Sequence, residues 1–226
     1  MDSKIVHYFD PDQRNSPKMG YGAWMLLRIS CLIFLASSPF LYGEDIQIED
    51  PGFVVFRDRC MPCHLQTGMG IREMNAPSIA GLPRWYISDQ LRKFRRDQRG
   101  FHEEDESGHL MQANAAALDE RSIAFVGRYI ENLNANLSRN TLDNLPADLG
   151  WKLYAEDCAS CHGDAAEGNR SLRIPPLTFQ QDWYLLRQMD NFESEKRIHH
   201  EEDQKPLEEA ELQAVVAWIS KIQPKP

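Results

Sequence analysis

Two five-residue strings carry the chemistry of this chain: Cys60-Met61-Pro62-Cys63-His64 and Cys158-Ala159-Ser160-Cys161-His162. Each sets two thiols one helical turn apart, with an imidazole directly behind the second thiol. Thiols at that spacing can form thioethers with the vinyl groups on one edge of a porphyrin, while the adjacent imidazole binds iron from the proximal side. A Cys-x-x-Cys pair alone also suits a zinc ribbon or a thioredoxin-like redox pair. A histidine after the second cysteine, in both copies, selects covalent haem over those rivals. Cys60, Cys63, Cys158 and Cys161 are therefore expected to attach two haem c groups, with His64 and His162 as iron ligands.

Five cysteines are present, and the two motifs use all but Cys31. No pair remains for a structural disulfide, so covalent haem takes over the stapling role in a small exported protein. The export signal is read in residues 1–43. Arg28 precedes an apolar run from Ile29 to Leu41, followed by Tyr42-Gly43 and then acidic Glu44-Asp45. Thirteen residues suit a signal-peptide core and are short for a membrane span. The alternative is an uncleaved anchor, with Arg28 held at the cytoplasmic edge. Either way the rest of the chain is expected outside the cytoplasm, in the periplasm, and membrane-associated only through that segment. The full chain has a formal net charge of −9; without residues 1–43 it keeps 21 basic and 31 acidic residues, a net of −10. An acidic surface argues against nucleic acid and anionic lipid as partners and suits a basic patch on a redox protein.

The sequence repeats itself at a shift of 98 residues. Gly52 falls on Gly150, Phe56 on Tyr154, Pro77 on Pro175, Trp85-Tyr86 on Trp183-Tyr184, Leu91 on Met189, Phe94 on Phe192 and Arg99 on Arg197. His102-Glu103-Glu104-Asp105 recurs as His200-Glu201-Glu202-Asp203. Further on the shift becomes 89, pairing Leu118 with Leu207, Val126 with Val215 and Tyr129-Ile130 with Trp218-Ile219, so the second copy is nine residues shorter between. A repeat of this length means two homologous domains. The expected layout is a signal peptide or anchor at 1–43, domain one at 44–132, a linker at 133–146 and domain two at 147–226.

Strand signals are almost absent and each copy reads as three helices, so the fold is expected to be all-α. One helix runs from an aromatic residue (Phe56, Tyr154) into the haem motif. A middle helix starts near the Trp-Tyr pair, with Tyr86, Leu91 and Phe94 on its apolar side. The last helix shows Ile123, Val126, Tyr129 and Ile130 on one face, mirrored by Leu212, Val215, Val216 and Ile219. Gly52 and Gly150 would let the first and last helices cross closely, beneath the aromatic pairs.

Over residues 48–223 the chain resembles periplasmic dihaem cytochromes c of the c-four type, two tandem class I cytochrome c domains, each wrapped around a covalent haem. The matching residues are Gly52, Phe56, the motif itself, Pro77-Ser78-Ile79-Ala80-Gly81, Trp85-Tyr86, Gln90-Leu91, Phe94 and Leu118-Asp119-Glu120. The resemblance implies an electron carrier rather than an enzyme. It would take electrons from a quinol-oxidising complex or a dehydrogenase and pass them to a terminal oxidase or reductase. Three departures stand out. Leu65 follows the first motif where Gly163 follows the second; the second copy reads Pro175-Pro176-Leu177-Thr178-Phe179; and its distal loop is short.

That loop normally carries the sixth ligand. Met111, 47 residues beyond His64, stands where such cytochromes place a thioether ligand, whereas Met69 and Met74 follow His64 too closely. His102 and His109 are rivals to it in the first domain. In the second, the only later methionine is Met189, at the register of Leu91. His200 lies seven residues before Leu207, as Met111 lies seven before Leu118, and is taken as the ligand; His199, Met189, Lys205 and an open site remain alternatives. An open second site would make a peroxidase or gas sensor. A retained N-terminal anchor would make a membrane-held subunit of an oxidase or dehydrogenase complex.

Overall fold

The computed structural model describes residues 49–135, 142, 147–178, 180–199 and 207–222, all within one compact unit, Gln47–Pro226. The expected signal segment 1–43, most of the linker 133–146, and His200 lie outside the described residues.

The described chain is helical, with two isolated β-bridges (Ile71 to Ala76, Asn169 to Ile174) as its only extended pairing. Helix α1 (Pro51–Val55) passes through a π-helical turn, Phe56–Cys60, into α2 (Met61–His64). Asp50 starts it by accepting hydrogen bonds from the backbone N–H groups of Gly52 (2.6 Å) and Phe53 (3.3 Å), and Pro51 supplies a preset φ. After a short 3₁₀ turn at Arg72–Met74 come α3 (Arg84–Arg95), α4 (Glu106–Ala116) and α5 (Glu120–Glu131). The second half repeats the plan with α6 (Ala147–Asp157), α7 (Ala159–His162), α8 (Asp182–Glu193) and α9 (Glu209–Lys221).

The helices associate as two copies of one arrangement. Helix α1 lies on α5, and α6 lies on α9. A Cβ on Gly52 would overlap the carbonyl of Phe125, and one on Gly150 the carbonyl of Ala214, so both crossings need glycine. Fully buried Phe56 meets Tyr129 at 5.1 Å between ring centroids, and its counterpart Tyr154 meets Trp218 at 4.5 Å. Around these rings Leu91, Phe94, Ile123 and Val126 close one core, and Leu185, Val215, Val216 and Ile219 close the other.

One element departs from the sequence reading. Residues 106–116, expected as a loop ahead of the last helix, form α4. Asp105 caps it through the Gly108 N–H (2.9 Å), and Ala113, Ala115 and Ala116 favour helix over loop. Met111 thus sits on a helix packed against α3.

Candidate haem-binding sites

Each motif folds as one turn of helix with its histidine at the end. His64 is buried, and its Nδ1–H donates to the Pro77 carbonyl at 2.8 Å. His162 makes the same bond to the Pro175 carbonyl at 3.0 Å. A carbonyl can only accept, so this bond puts the proton on Nδ1 and makes Nε2 the nitrogen with the lone pair that a metal would take. The prolines that recur at the 98-residue shift therefore orient the proximal imidazoles.

Burial sets the protonation of these groups. It holds the His64 imidazole below its ordinary pKa, against a smaller opposing effect from the Pro77 carbonyl, so the ring stays neutral and ready to bind metal. Burial, with a smaller contribution from Cys63, pushes the Cys60 thiol up to about 12; burial and Asp157 push Cys158 up to about 11. Among the described residues the four motif cysteines are uncrosslinked, and no three His, Cys, Asp or Glu side chains converge to hold a metal ion. Thiols beside a cleft, with an imidazole directed into it, fit a covalently attached macrocycle better than a zinc cage.

Both clefts are deep and largely apolar. The first is lined by Cys60, Cys63, His64, Ile79, Leu91 and Phe94, with Met111 facing the same space from α4. His102 accepts a hydrogen bond from the Glu104 N–H (3.2 Å), and His109 is exposed; neither lines the cleft. Met69 lies beside Ser78, outside the cleft lining, and Met74 lines the rim at 51% exposure. The second cleft is lined by Cys158, Cys161, His162, Leu177, Met189 and His199. Met189 comes from α8 at the register of Leu91.

The sequence reading treated Tyr86 as an apolar core position. Its hydroxyl instead joins a polar network between the two halves, which that reading missed. Arg99 donates to Gln90 (2.7 Å) in its own half and to Tyr184 (2.7 Å) and Gln188 (3.2 Å) in the other. Arg197 mirrors this, donating to Gln188 in its own half and to Tyr86 (3.2 Å) and Gln90 (3.4 Å) across the interface. The two halves thus meet through a pseudo-two-fold contact, in which a patch meets its own repeat. Burial opposes ionisation of Tyr86, but Arg197 and Arg99 outweigh it and draw its pKa below the ordinary value. Leu82, Tyr86, Gln90, Arg99, Gln180, Tyr184 and Gln188 line both clefts. One layer of side chains separates them. The available signal was the recurrence of polar Gln90 on the middle helix as Gln188, and of Arg99 just beyond that helix as Arg197.

Comparison with known proteins gives the same picture. Residues 147–223 match the Cytochrome c family. The thiosulfate dehydrogenase electron acceptor of Stutzerimonas stutzeri is 25% identical over 213 residues, covering 88% of this chain and 94% of that protein. The cbb3-type cytochrome c oxidase subunit FixP of Bradyrhizobium diazoefficiens is 29% identical over 137 residues, or 56% of this chain. The chain spans only 43% of FixP's length. Among solved structures, cytochrome c4 of Acidithiobacillus ferrooxidans superposes with a TM-score of 0.60 at 24% identity, covering 72% of this chain and 98% of that one.

Proposed function

We propose that this chain, which is similar to the dihaem c-type cytochromes of the cytochrome c4 kind, carries electrons outside the cytoplasm, from a dehydrogenase or a quinol-oxidising complex to a terminal oxidase or reductase. Two covalently bound haem c groups supply the one-electron chemistry of ferric and ferrous iron. The chain's own residues hold, orient and insulate them. His64 and His162, fixed by Pro77 and Pro175, would each hold one haem iron, and Met111, which faces the first cleft, would supply a thioether to the first. Apolar walls keep water from the clefts and so limit reorganisation when charge changes.

The observation that carries this reading is the shared wall between the clefts. An electron entering one site has a short, rigid, hydrogen-bonded layer to cross to reach the other. Buried Arg99 and its counterpart Arg197 also place positive charge beside both clefts, which suits the carboxylates of haem c. A dehydrogenase donor is favoured by the S. stutzeri relative, a thiosulfate dehydrogenase electron acceptor of which the match covers 94%. The net charge of −9 favours donors and acceptors with basic docking faces.

Stopped-flow mixing of the reduced protein with a basic one-electron protein oxidant tests this. Both haems should oxidise, at a rate that falls as ionic strength rises. If one haem stays reduced, or if it binds carbon monoxide and turns over peroxide, the peroxidase or sensor reading replaces it. A membrane-held subunit is favoured by the FixP likeness; N-terminal sequencing of the exported protein, showing whether residues 1–43 remain, decides between the two.

A further inference from the structure

We infer that His199 is the distal ligand of the second haem, so that its iron is held between the two imidazoles of His162 and His199. The proposal rests on the reading of Cys158-Ala159-Ser160-Cys161-His162 as a haem attachment site. The His162 and His199 rings lie 6.4 Å apart between centroids, with planes only 21° from parallel, and both line the second cleft. Two imidazoles bound on opposite sides of one metal, each at about 2.0–2.1 Å with its ring centre roughly 1 Å behind the donor nitrogen, have centroids about 6 Å apart. The observed spacing matches that span. Imidazoles on opposite sides of one metal can take any angle about their shared axis, so the reading is carried by the spacing together with the place of both rings on the cleft wall.

The segment that carries His199 is held in place. After α8 ends, Glu195 takes a left-handed φ of 58° and the Arg197 N–H returns to the Asn191 carbonyl at 2.8 Å. The Arg197 guanidinium reaches across to Tyr86 and lies 4.8 Å over the Phe192 ring. His199 packs edge-on against the same Phe192 ring, 4.8 Å away. Phe192 is therefore gripped by Arg197 and His199 together, and the interface that joins the two halves also sets where the imidazole points. At the matching position of the first half stands Phe101, 43% exposed, which offers no donor atom. A donor has been placed here only where the thioether-bearing helix has no copy in the sequence.

The test compares four variants by haem content, carbon monoxide binding and near-infrared charge-transfer spectra. The unmodified ferrous protein should bind carbon monoxide at neither haem. His199→Gly should keep two haems per chain while one becomes high-spin and binds carbon monoxide, and added imidazole should return it to low spin. His199→Met should give a second thioether-to-iron band. His200→Ala and Met189→Leu should each leave the second haem low-spin and closed to carbon monoxide. Opening of the site by His200→Ala or Met189→Leu with His199→Gly still closed, or carbon monoxide binding by the unmodified protein, would overturn the assignment. Loss of the second haem from the unmodified protein would instead overturn the attachment reading beneath it.

Discussion

The two halves treat the proximal side of the cleft identically and the distal side differently. On the proximal side each has a helical turn, two thiols, and an imidazole tied to a proline carbonyl at 2.8 Å or 3.0 Å. On the distal side, 24 residues separate α3 from α5, whereas 15 separate α8 from α9. The first half uses its extra length to build α4 and present Met111. Its seating depends on Gly100, at φ 73°, and Gly108, whose backbones touch so closely that a Cβ on either would overlap the other. The second half has Ile198 at the position of Gly100 and could not admit a copy of α4 there. Whether Met111 can face the first cleft therefore depends on backbone packing several residues away. Because a thioether favours ferrous iron, the first haem is expected to be the higher-potential centre.

The sharpest break in the symmetry comes from removing one attachment site. Cys158→Ser with Cys161→Ser should leave one covalent haem per chain, on the first half, and the Cys60/Cys63 pair of changes should leave one on the second. Haem content after acid-acetone extraction, with the mass of the intact chain, measures this. Loss of both haems from either variant would show that the halves do not load independently.

Next in size is Gly108→Val. The new side chain would collide with Gly100 and Asp105, dislodging α4 at a cost of about 1–3 kcal/mol. Far-red spectroscopy should then show the thioether band lost from the first haem, with the second haem's spectrum unchanged. Retention of the band would mean that α4 is not what places Met111.

A smaller effect is expected just after the motifs. Leu65 (φ 62°, ψ 165°) and Gly163 (φ 81°, ψ 158°) share a backbone conformation that suits glycine, so Leu65 stores strain that its counterpart avoids. Leu65→Gly should stabilise the protein to denaturant by about 1 kcal/mol, and Gly163→Leu should destabilise it by about 1–3 kcal/mol. The smallest expected effect is that of Lys196→Ala. Its contact with Glu104, 2.9 Å long, joins the halves at their rim, and its loss should leave the denaturation midpoint almost unmoved.

Much of this was legible in the sequence because it rests on local spacing. The haem motifs, the helix pairs and the glycine crossings each follow from short patterns that appear twice. The parallel between Phe56 under Tyr129 and Tyr154 under Trp218 needed only the periodicity of two helices. What was not legible depends on how distant segments meet. Tyr86 and Arg99 look like a core aromatic and a surface cation until the second half brings Arg197, Tyr184 and Gln188 against them. The same is true of His199. Counting back from the last helix selects His200, which lies outside the described residues, and no count along the chain shows that the fold after α8 sets His199 parallel to His162.

A redox titration followed by optical spectroscopy in the visible and far red tests most directly the claim that this is a two-haem electron carrier with unlike sites. Two one-electron waves should appear, fully reversible, with the far-red thioether band disappearing as the higher-potential wave is reduced, and with no change on adding carbon monoxide. A single wave from one haem per chain, or a high-spin haem that takes up carbon monoxide as soon as it is reduced, would contradict it.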